Sequence, residues 1–78
     1  MVFDTVCAVL ADILAVNADD ITLDTDILQD LNADSLDVLD IITALEDEYD
    51  IEVPDDKIED LTTVGAVVDY VKDVTGKE

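Results

Sequence analysis

Apolar residues recur at helical spacing in three separate stretches of this chain. In the middle stretch they form one stripe at about 3.6 residues per turn, which predicts an amphipathic helix over about 35–49. The stripe consists of Val38, Ile41, Ile42, Leu45 and Tyr49. The same spacing predicts a first helix over roughly 3–15 and a last helix over about 64–74. Because 78 residues have room for only one domain, we expect a single small helical bundle.

The segment between the first two helices, 17–34, has no sustained apolar period and is predicted to be a long loop. Asp26, with Gln29 three residues later, predicts one capped helical turn inside it. We expect its apolar side chains to hold it against the core. These are Ile21, Leu23, Ile27, Leu28 and Leu31.

A short third helix is predicted over about 56–61, after Pro54, which interrupts regular secondary structure. Asp56 and Glu59 have the spacing of a capping pair for it. The last helix could be capped by either Thr62 or Thr63.

The net charge is −19, from 22 acidic residues and three lysines. Phosphate binding needs clustered cations, so this charge excludes nucleic acid and anionic membrane surfaces as partners. It favours basic protein surfaces, which would be approached by electrostatic steering. The chain has no histidine, so Ser-His-Asp and Cys-His nucleophile pairs cannot form.

The remaining compositional signals are weaker. Cys7 lies on an apolar helical face and is expected to be buried as a packed core side chain. The first residues lack the pattern of a signal peptide, and no stretch has the apolar length of a membrane span. We therefore expect a cytoplasmic protein without membrane insertion.

Ser35 stands where the middle helix should begin. Asp34 is well placed as the N-cap and Asp37 as the third helical residue, so Ser35 takes the first helical position. Free backbone N–H groups and the positive end of the helix dipole would favour a phosphate on Ser35, whereas the two carboxylates oppose it. Position alone also allows Ser35 to be no more than a helix-starting residue.

Two leucines of the middle helix, Leu36 and Leu39, do not fit its core stripe. At about 100° per residue they point to another face, together with Thr43. The acids that border this face are Asp40, Asp47 and Glu46. An apolar strip rimmed by acids is typical of a docking surface, although single exposed leucines also occur without any function.

The run from Leu31 to Asp37 (Leu-Asn-Ala-Asp-Ser-Leu-Asp) resembles the modification site of acyl carrier proteins. The resemblance continues through 44–49, 51–55, 61–65 and 68–71. It implies one acyl-carrier-like domain over 1–78 with an all-α fold. That fold is a four-helix bundle with three main helices, a short third helix and a long loop between the first two.

The resemblance also implies the function. Ser35 would carry 4′-phosphopantetheine through a phosphodiester, attached by a phosphopantetheinyl transferase. The thiol of that arm would bear acyl groups as thioesters, and family members shelter such chains in an apolar cavity among the helices. The protein itself would be a non-catalytic monomer, with fatty acid biosynthesis as the expected pathway. Polyketide or D-alanyl cargo stays open.

Partner enzymes of acyl transfer and fatty acid synthesis would dock their basic surfaces on the middle helix. The docking residues implied here are Asp34, Leu36, Asp37, Leu39, Asp40, Thr43, Glu46 and Asp47. Four residues depart from the usual family pattern. These are Asn32 in place of a frequent glycine, Thr43 in place of methionine, Tyr49 in place of phenylalanine, and Lys57 where acids are common. Asparagine tolerates a left-handed backbone, so the turn before Ser35 should survive.

A hypothesis of another class is an unmodified acidic or divalent-cation-binding module. Asp24 and Asp26 have the spacing that opens an EF-hand loop. Such a loop needs glycine at its sixth position and glutamate at its twelfth, but Gln29 and Ser35 stand there. The sequence therefore excludes an EF-hand and leaves only loose cation association open.

Overall fold

A computed structural model of the chain describes residues 1–76. Over that range four α-helices are formed: Val2–Leu14 (α1), Ser35–Tyr49 (α2), Asp55–Ile58 (α3) and Val64–Thr75 (α4). Helix α1 packs against both α2 and α4. The predicted all-α bundle, with a short third helix and a long loop before α2, is confirmed.

The core lies where the three long helices face one another. Its most completely buried side chains are Val2, Val6, Leu10, Ile27, Ile41, Leu45, Val64, Val67, Val68 and Val71. Four members of the predicted α2 stripe are buried and the fifth, Tyr49, is half-buried. The valines of α4 disfavour a helix by propensity, but burial of one continuous apolar face outweighs that preference.

Cys7 is buried on the inner face of α1, as expected. Burial raises the pKa of its thiol, and the nearby Asp4 carboxylate raises it further. A thiol with a raised pKa is largely protonated at neutral pH, so Cys7 acts as a small apolar side chain.

The ends of the long helices follow local capping chemistry. Helix α1 begins and ends one residue earlier than predicted. It ends at Leu14 because Ala15 adopts a left-handed conformation with φ 56°. Asp50 ends α2 in the same way, with φ 54°. Thr63, not Thr62, caps α4: its hydroxyl oxygen accepts a hydrogen bond of 3.1 Å from the Ala66 amide.

The loop between α1 and α2 contains two local turns. A short 3-10 helix, Ala18–Asp20, was not predicted, and Asn17 caps it. The predicted turn at Asp26 is present, with the carboxylate accepting from the Leu28 and Gln29 amides at 2.9 Å each. The reciprocal bond comes from Asp30, whose carboxylate accepts from the Asp26 amide at 2.9 Å.

The expectation that all five apolar loop residues hold the loop to the core is wrong for two of them. Ile21 and Ile27 are buried and Leu31 is half-buried, but Leu23 and Leu28 are 52% and 38% exposed. The Leu28 side chain lines a cleft, described below. At Leu23 the backbone makes the attachment instead of the side chain.

Backbone hydrogen bonds join this loop to the start of α4. The Val64 amide donates to the Thr25 carbonyl at 3.0 Å, and the Gly65 amide donates to the Leu23 carbonyl at 2.9 Å. The Ile27 amide in turn donates to the Thr62 carbonyl at 2.9 Å. The first N–H groups of a helix have no partner within the helix, so the loop satisfies donors that α4 cannot.

Helix α3 is shorter than predicted and starts earlier. It begins at Asp55 because the Pro54 carbonyl accepts from the amides of Lys57 and Ile58, at 2.9 and 3.3 Å. No side chain caps it, so the predicted capping pair of Asp56 and Glu59 is wrong. After Ile58 the chain continues in tighter turns down to Leu61, which is buried.

Candidate functional site

Ser35 is the first residue of α2, as predicted. The Asp34 carboxylate accepts from the Asp37 amide at 2.9 Å, and the Asp37 carboxylate accepts from the Asp34 amide at 3.3 Å. These two bonds form a reciprocal capping box around Ser35. The box defines the start of the helix, so it also fixes the position from which the Ser35 hydroxyl projects.

The approach to Ser35 is fixed from the other side by two residues. Asn32 has φ 58°, a left-handed conformation that asparagine adopts more readily than most residues. Ala33 is buried, and its amide donates to the Ile27 carbonyl at 3.3 Å. The expectation that asparagine preserves this turn is therefore confirmed.

The Ser35 side chain is exposed. Among residues 1–76 its hydroxyl finds no hydrogen-bonding partner. Ser35 is also the only serine in the chain. The helix dipole favours an anion at this point, whereas the capping carboxylates of Asp34 and Asp37 oppose one. The arrangement presents an accessible hydroxyl in an electrostatically mixed environment.

An apolar cleft of about 340 Å³ opens beside this hydroxyl. It lies between α2, the end of α3 and the loop before α2. Its lining consists of Leu28, Ser35, Val38, Leu39, Ile58, Glu59, Leu61 and Thr62. A cleft of this size and polarity suits a flexible apolar ligand. Ser35 itself belongs to the lining of this cleft.

The cleft-lining residues outside α2 were not recognised as a site from the sequence. Leu28 and Leu61 are apolar residues outside the three long amphipathic helices, and that was the one available signal. Which cavity they would share depends on how the loop and α3 fold back on α2. Periodicity carries no information about that arrangement.

The predicted docking face of α2 is largely exposed. Leu36 and Leu39 are 69% and 44% exposed, and Thr43 is exposed beside them. Among the acids, Asp34, Asp40 and Asp47 are exposed and Asp37 and Glu46 are half-buried. Leu39 belongs to this face and also lines the cleft.

Glu46 differs from the other acids of this face. Its carboxylate accepts a hydrogen bond of 2.8 Å from the Val53 amide, in the linker between α2 and α3. The amides of Asp50 and Ile51 also donate to the Glu46 backbone carbonyl. Glu46 therefore has partners within the fold that the sequence did not indicate.

The placement of the carboxylates and the length of the helices bear on metal and membrane binding. Within residues 1–76, no three or more acidic, cysteine or histidine side chains converge as metal ligands would. Over the same residues, none of the helices combines the length and apolarity needed to cross a bilayer.

Known proteins resemble this chain over nearly its whole length. A family model described as a phosphopantetheine attachment site matches residues 4–71. The acyl carrier protein of Clostridium acetobutylicum is 46% identical over 72 residues, covering 92% of this chain and 94% of the relative. That of Clostridium perfringens strain 13 is 45% identical over 75 residues, covering 96% and 99%. A solved structure of acyl carrier protein from Enterococcus faecalis superimposes with a TM-score of 0.77 at 38% identity, covering 90% of this chain and 89% of that one.

The helical fold and the match to the family model together define a carrier domain for phosphopantetheine. The chain belongs to the acyl carrier protein family. It is thus a non-catalytic carrier of acyl chains that bears covalent 4′-phosphopantetheine, added by a phosphopantetheinyl transferase. An accessible hydroxyl fits the phosphodiester of such an arm. The apolar cleft beside it fits the acyl chain that the thiol of the arm bears.

Proposed function

We propose that this protein carries acyl intermediates of fatty acid biosynthesis as thioesters on an arm attached to Ser35. We further propose that residues 1–78 form one domain, which acts as a monomer in the cytoplasm. The observation that carries the proposal is the Ser35 side chain. It is the only serine, it is exposed, and its hydroxyl has no partner among residues 1–76.

In the attachment reaction this chain contributes position and the transferase contributes the chemistry. The Ser35 hydroxyl oxygen attacks the pantetheine-side phosphorus of coenzyme A, and a new O–P bond forms as the pyrophosphate P–O bond breaks. Adenosine 3′,5′-bisphosphate leaves, and the hydroxyl proton passes to a base of the transferase. The capping box holds the backbone of Ser35 in one conformation, which lowers the entropy cost of presenting the hydroxyl.

The cleft provides a place for the acyl chain between reactions. Each methylene removed from water contributes about 0.8 kcal/mol, so a few buried methylenes suffice to hold a chain there. Leu28, Val38 and Leu61 supply apolar wall on three sides. The bound state is reversible, because a partner enzyme that offers a comparable apolar channel can draw the chain out.

Docking would use the exposed face of α2. The proposed surface consists of Asp34, Leu36, Asp37, Leu39, Asp40, Thr43, Glu46 and Asp47. Its acids steer basic partner surfaces towards it, and its two leucines supply the apolar contact. Steered encounters of this kind are fast and sensitive to salt. Those properties suit a carrier that must leave each enzyme again.

The attachment site is tested by mass spectrometry. The purified chain is incubated with coenzyme A and a phosphopantetheinyl transferase, and its intact mass is measured. We expect native protein to gain one phosphopantetheine group and Ser35→Ala to gain none. Thr5→Ala, which removes a hydroxyl from α1 and lies outside the proposed docking surface, should gain the group normally. Gain of the group by Ser35→Ala would contradict the proposal.

The pathway is supported by the acidic middle helix and by the Thr62–Gly65 stretch, both of which resemble carriers of fatty acid synthesis. Fatty acid cargo predicts saturated, 3-oxo, 3-hydroxy or unsaturated straight chains on the arm of protein taken from its own cells. Exclusively amino-acyl cargo, or branched chains carrying several oxygens, would point to the D-alanyl or polyketide alternative.

A further inference from the structure

Two side chains from different helices bind the linker between α2 and α3. From α2, the Glu46 carboxylate accepts from the Val53 amide at 2.8 Å. From α4, the Tyr70 hydroxyl donates to the Glu52 carbonyl at 3.3 Å. The Val53 side chain is buried against the core. The linker is therefore attached to the bundle immediately before α3 begins.

Helix α3 depends on that attachment for its position. It spans four residues and has no side-chain cap. So short a helix is not stable by itself, because the few hydrogen bonds formed do not offset the cost of nucleation. Its last residue, Ile58, and the following Glu59 line the cleft beside Ser35. Whatever holds Val53 in place therefore also sets one wall of the cleft.

The Glu46–Val53 bond is the stronger of the two attachments. An ionised carboxylate that accepts from a backbone amide at 2.8 Å, in a partly buried position, makes a charge-assisted hydrogen bond. Such a bond is roughly twice as strong as a neutral one. The Tyr70 bond is neutral and long.

We propose that Glu46 is a positioning residue of the cleft: its carboxylate holds the α2–α3 linker so that α3 closes one wall. This goes beyond the docking role that family resemblance gives the residue. The attachment itself is independent of cargo, whereas its consequence for an acyl chain rests on the function proposed above.

The attachment is tested first on the full chain without cargo, by NMR measurement of amide hydrogen exchange. We compare native protein with Glu46→Ala, Glu46→Gln and Asp47→Ala. The last is a matched control that removes one charge from the adjacent, exposed position. Loss of a hydrogen bond to a charged group predicts Val53 exchange about tenfold or more faster in Glu46→Ala.

Glu46→Gln keeps an acceptor oxygen but loses the charge, so Val53 exchange should be intermediate, faster than in native protein and clearly slower than in Glu46→Ala. Asp47→Ala should match native protein. Equal acceleration in Glu46→Gln and Glu46→Ala, or in Asp47→Ala and Glu46→Ala, would overturn the proposal. If the alanine variant does not fold, Glu46→Leu keeps the packed stem of the side chain without its acceptor and is compared in the same way.

The second test loads the arm with an octanoyl group and measures thioester cleavage by hydroxylamine. We expect cleavage severalfold faster in Glu46→Ala than in native protein, and intermediate cleavage in Glu46→Gln. Unchanged cleavage in Glu46→Ala, with native protein still protected relative to free octanoyl-pantetheine, would overturn the role of Glu46 at the cleft. Absence of protection in native protein would instead refute cargo shelter in the proposed function, and the exchange result would stand.

Discussion

At Gly65 the loop before α2 closely approaches α4. Its amide donates to the Leu23 carbonyl oxygen at 2.9 Å. A Cβ atom on Gly65 would lie 2.9 Å from that same oxygen and 3.8 Å from the Leu23 Cβ. The nearest atom is backbone and already accepts a bond from Gly65, so it cannot turn aside. In Gly65→Ala the loop must retreat by a few tenths of an ångström.

The expected change in the free energy of unfolding for Gly65→Ala has one stabilising and two destabilising contributions. Alanine favours a helix by about 1 kcal/mol over glycine in a helix interior, and by less in the first turn. Overpacking costs about 1–3 kcal/mol. Each weakened hydrogen bond between Leu23 or Thr25 and the start of α4 adds up to about 1 kcal/mol. We expect net destabilisation of about 1–2 kcal/mol, which lowers the Tm of so small a domain by about 5–12 °C.

The assay is thermal unfolding followed by circular dichroism at constant salt. A matched control comes from Asp69, an exposed position of α4. The Asp69→Ala variant differs from Asp69→Gly by the same methyl group, but at an exposed position. Its Tm should therefore be higher than that of Asp69→Gly. If Gly65→Ala also raises the Tm, or leaves it unchanged, the close approach of loop and helix does not limit stability and our reasoning is refuted.

Two further predictions concern charge. With 22 acids against three lysines, repulsion should limit stability, so moderate sodium chloride should raise the Tm by several degrees over low salt; an unchanged Tm would contradict this. Asp40→Lys should lower kcat/KM for a phosphopantetheinyl transferase about tenfold at low salt while the fold is retained, because it reverses a charge on the docking face. Asp12→Lys, an equally exposed reversal on α1, should change it less than about twofold; equal effects would mean that net charge matters and location does not.

The parts of the fold that could be predicted from sequence are those governed by local rules. The bounds of α2 follow from the Val38–Tyr49 stripe and from two aspartates at capping distance, and both are present as expected. The exposure of Leu36 and Leu39 follows from the same helical geometry. These features depend only on residues within a few turns of one another.

The features that could not be predicted depend on contacts between distant segments. Leu23 is exposed because its carbonyl, rather than its side chain, holds the loop to Gly65. The cleft exists because Leu28, Leu39 and Leu61 come together from three elements. The Glu46–Val53 bond likewise joins α2 to a linker seven residues further on. Such contacts leave no periodic signal in the sequence.

The site itself was predicted unevenly for the same reason. Capping context and family resemblance together predict Ser35 as the attachment site, and the structure adds that its side chain is exposed beside the cleft. The residues that line the cleft outside α2 could not be identified from the sequence. A carrier needs one nucleophilic oxygen, which a short motif specifies, and an apolar surface, which only the assembled bundle provides.

The most direct test of the account is the mass of the protein as purified from its own cells, followed by fragmentation to locate any modification. We expect a single phosphopantetheine group, free or acylated, with every modified fragment containing Ser35. A chain that is always unmodified in cells that contain an active transferase, or a group located on any other residue, would contradict the claim that Ser35 carries the arm.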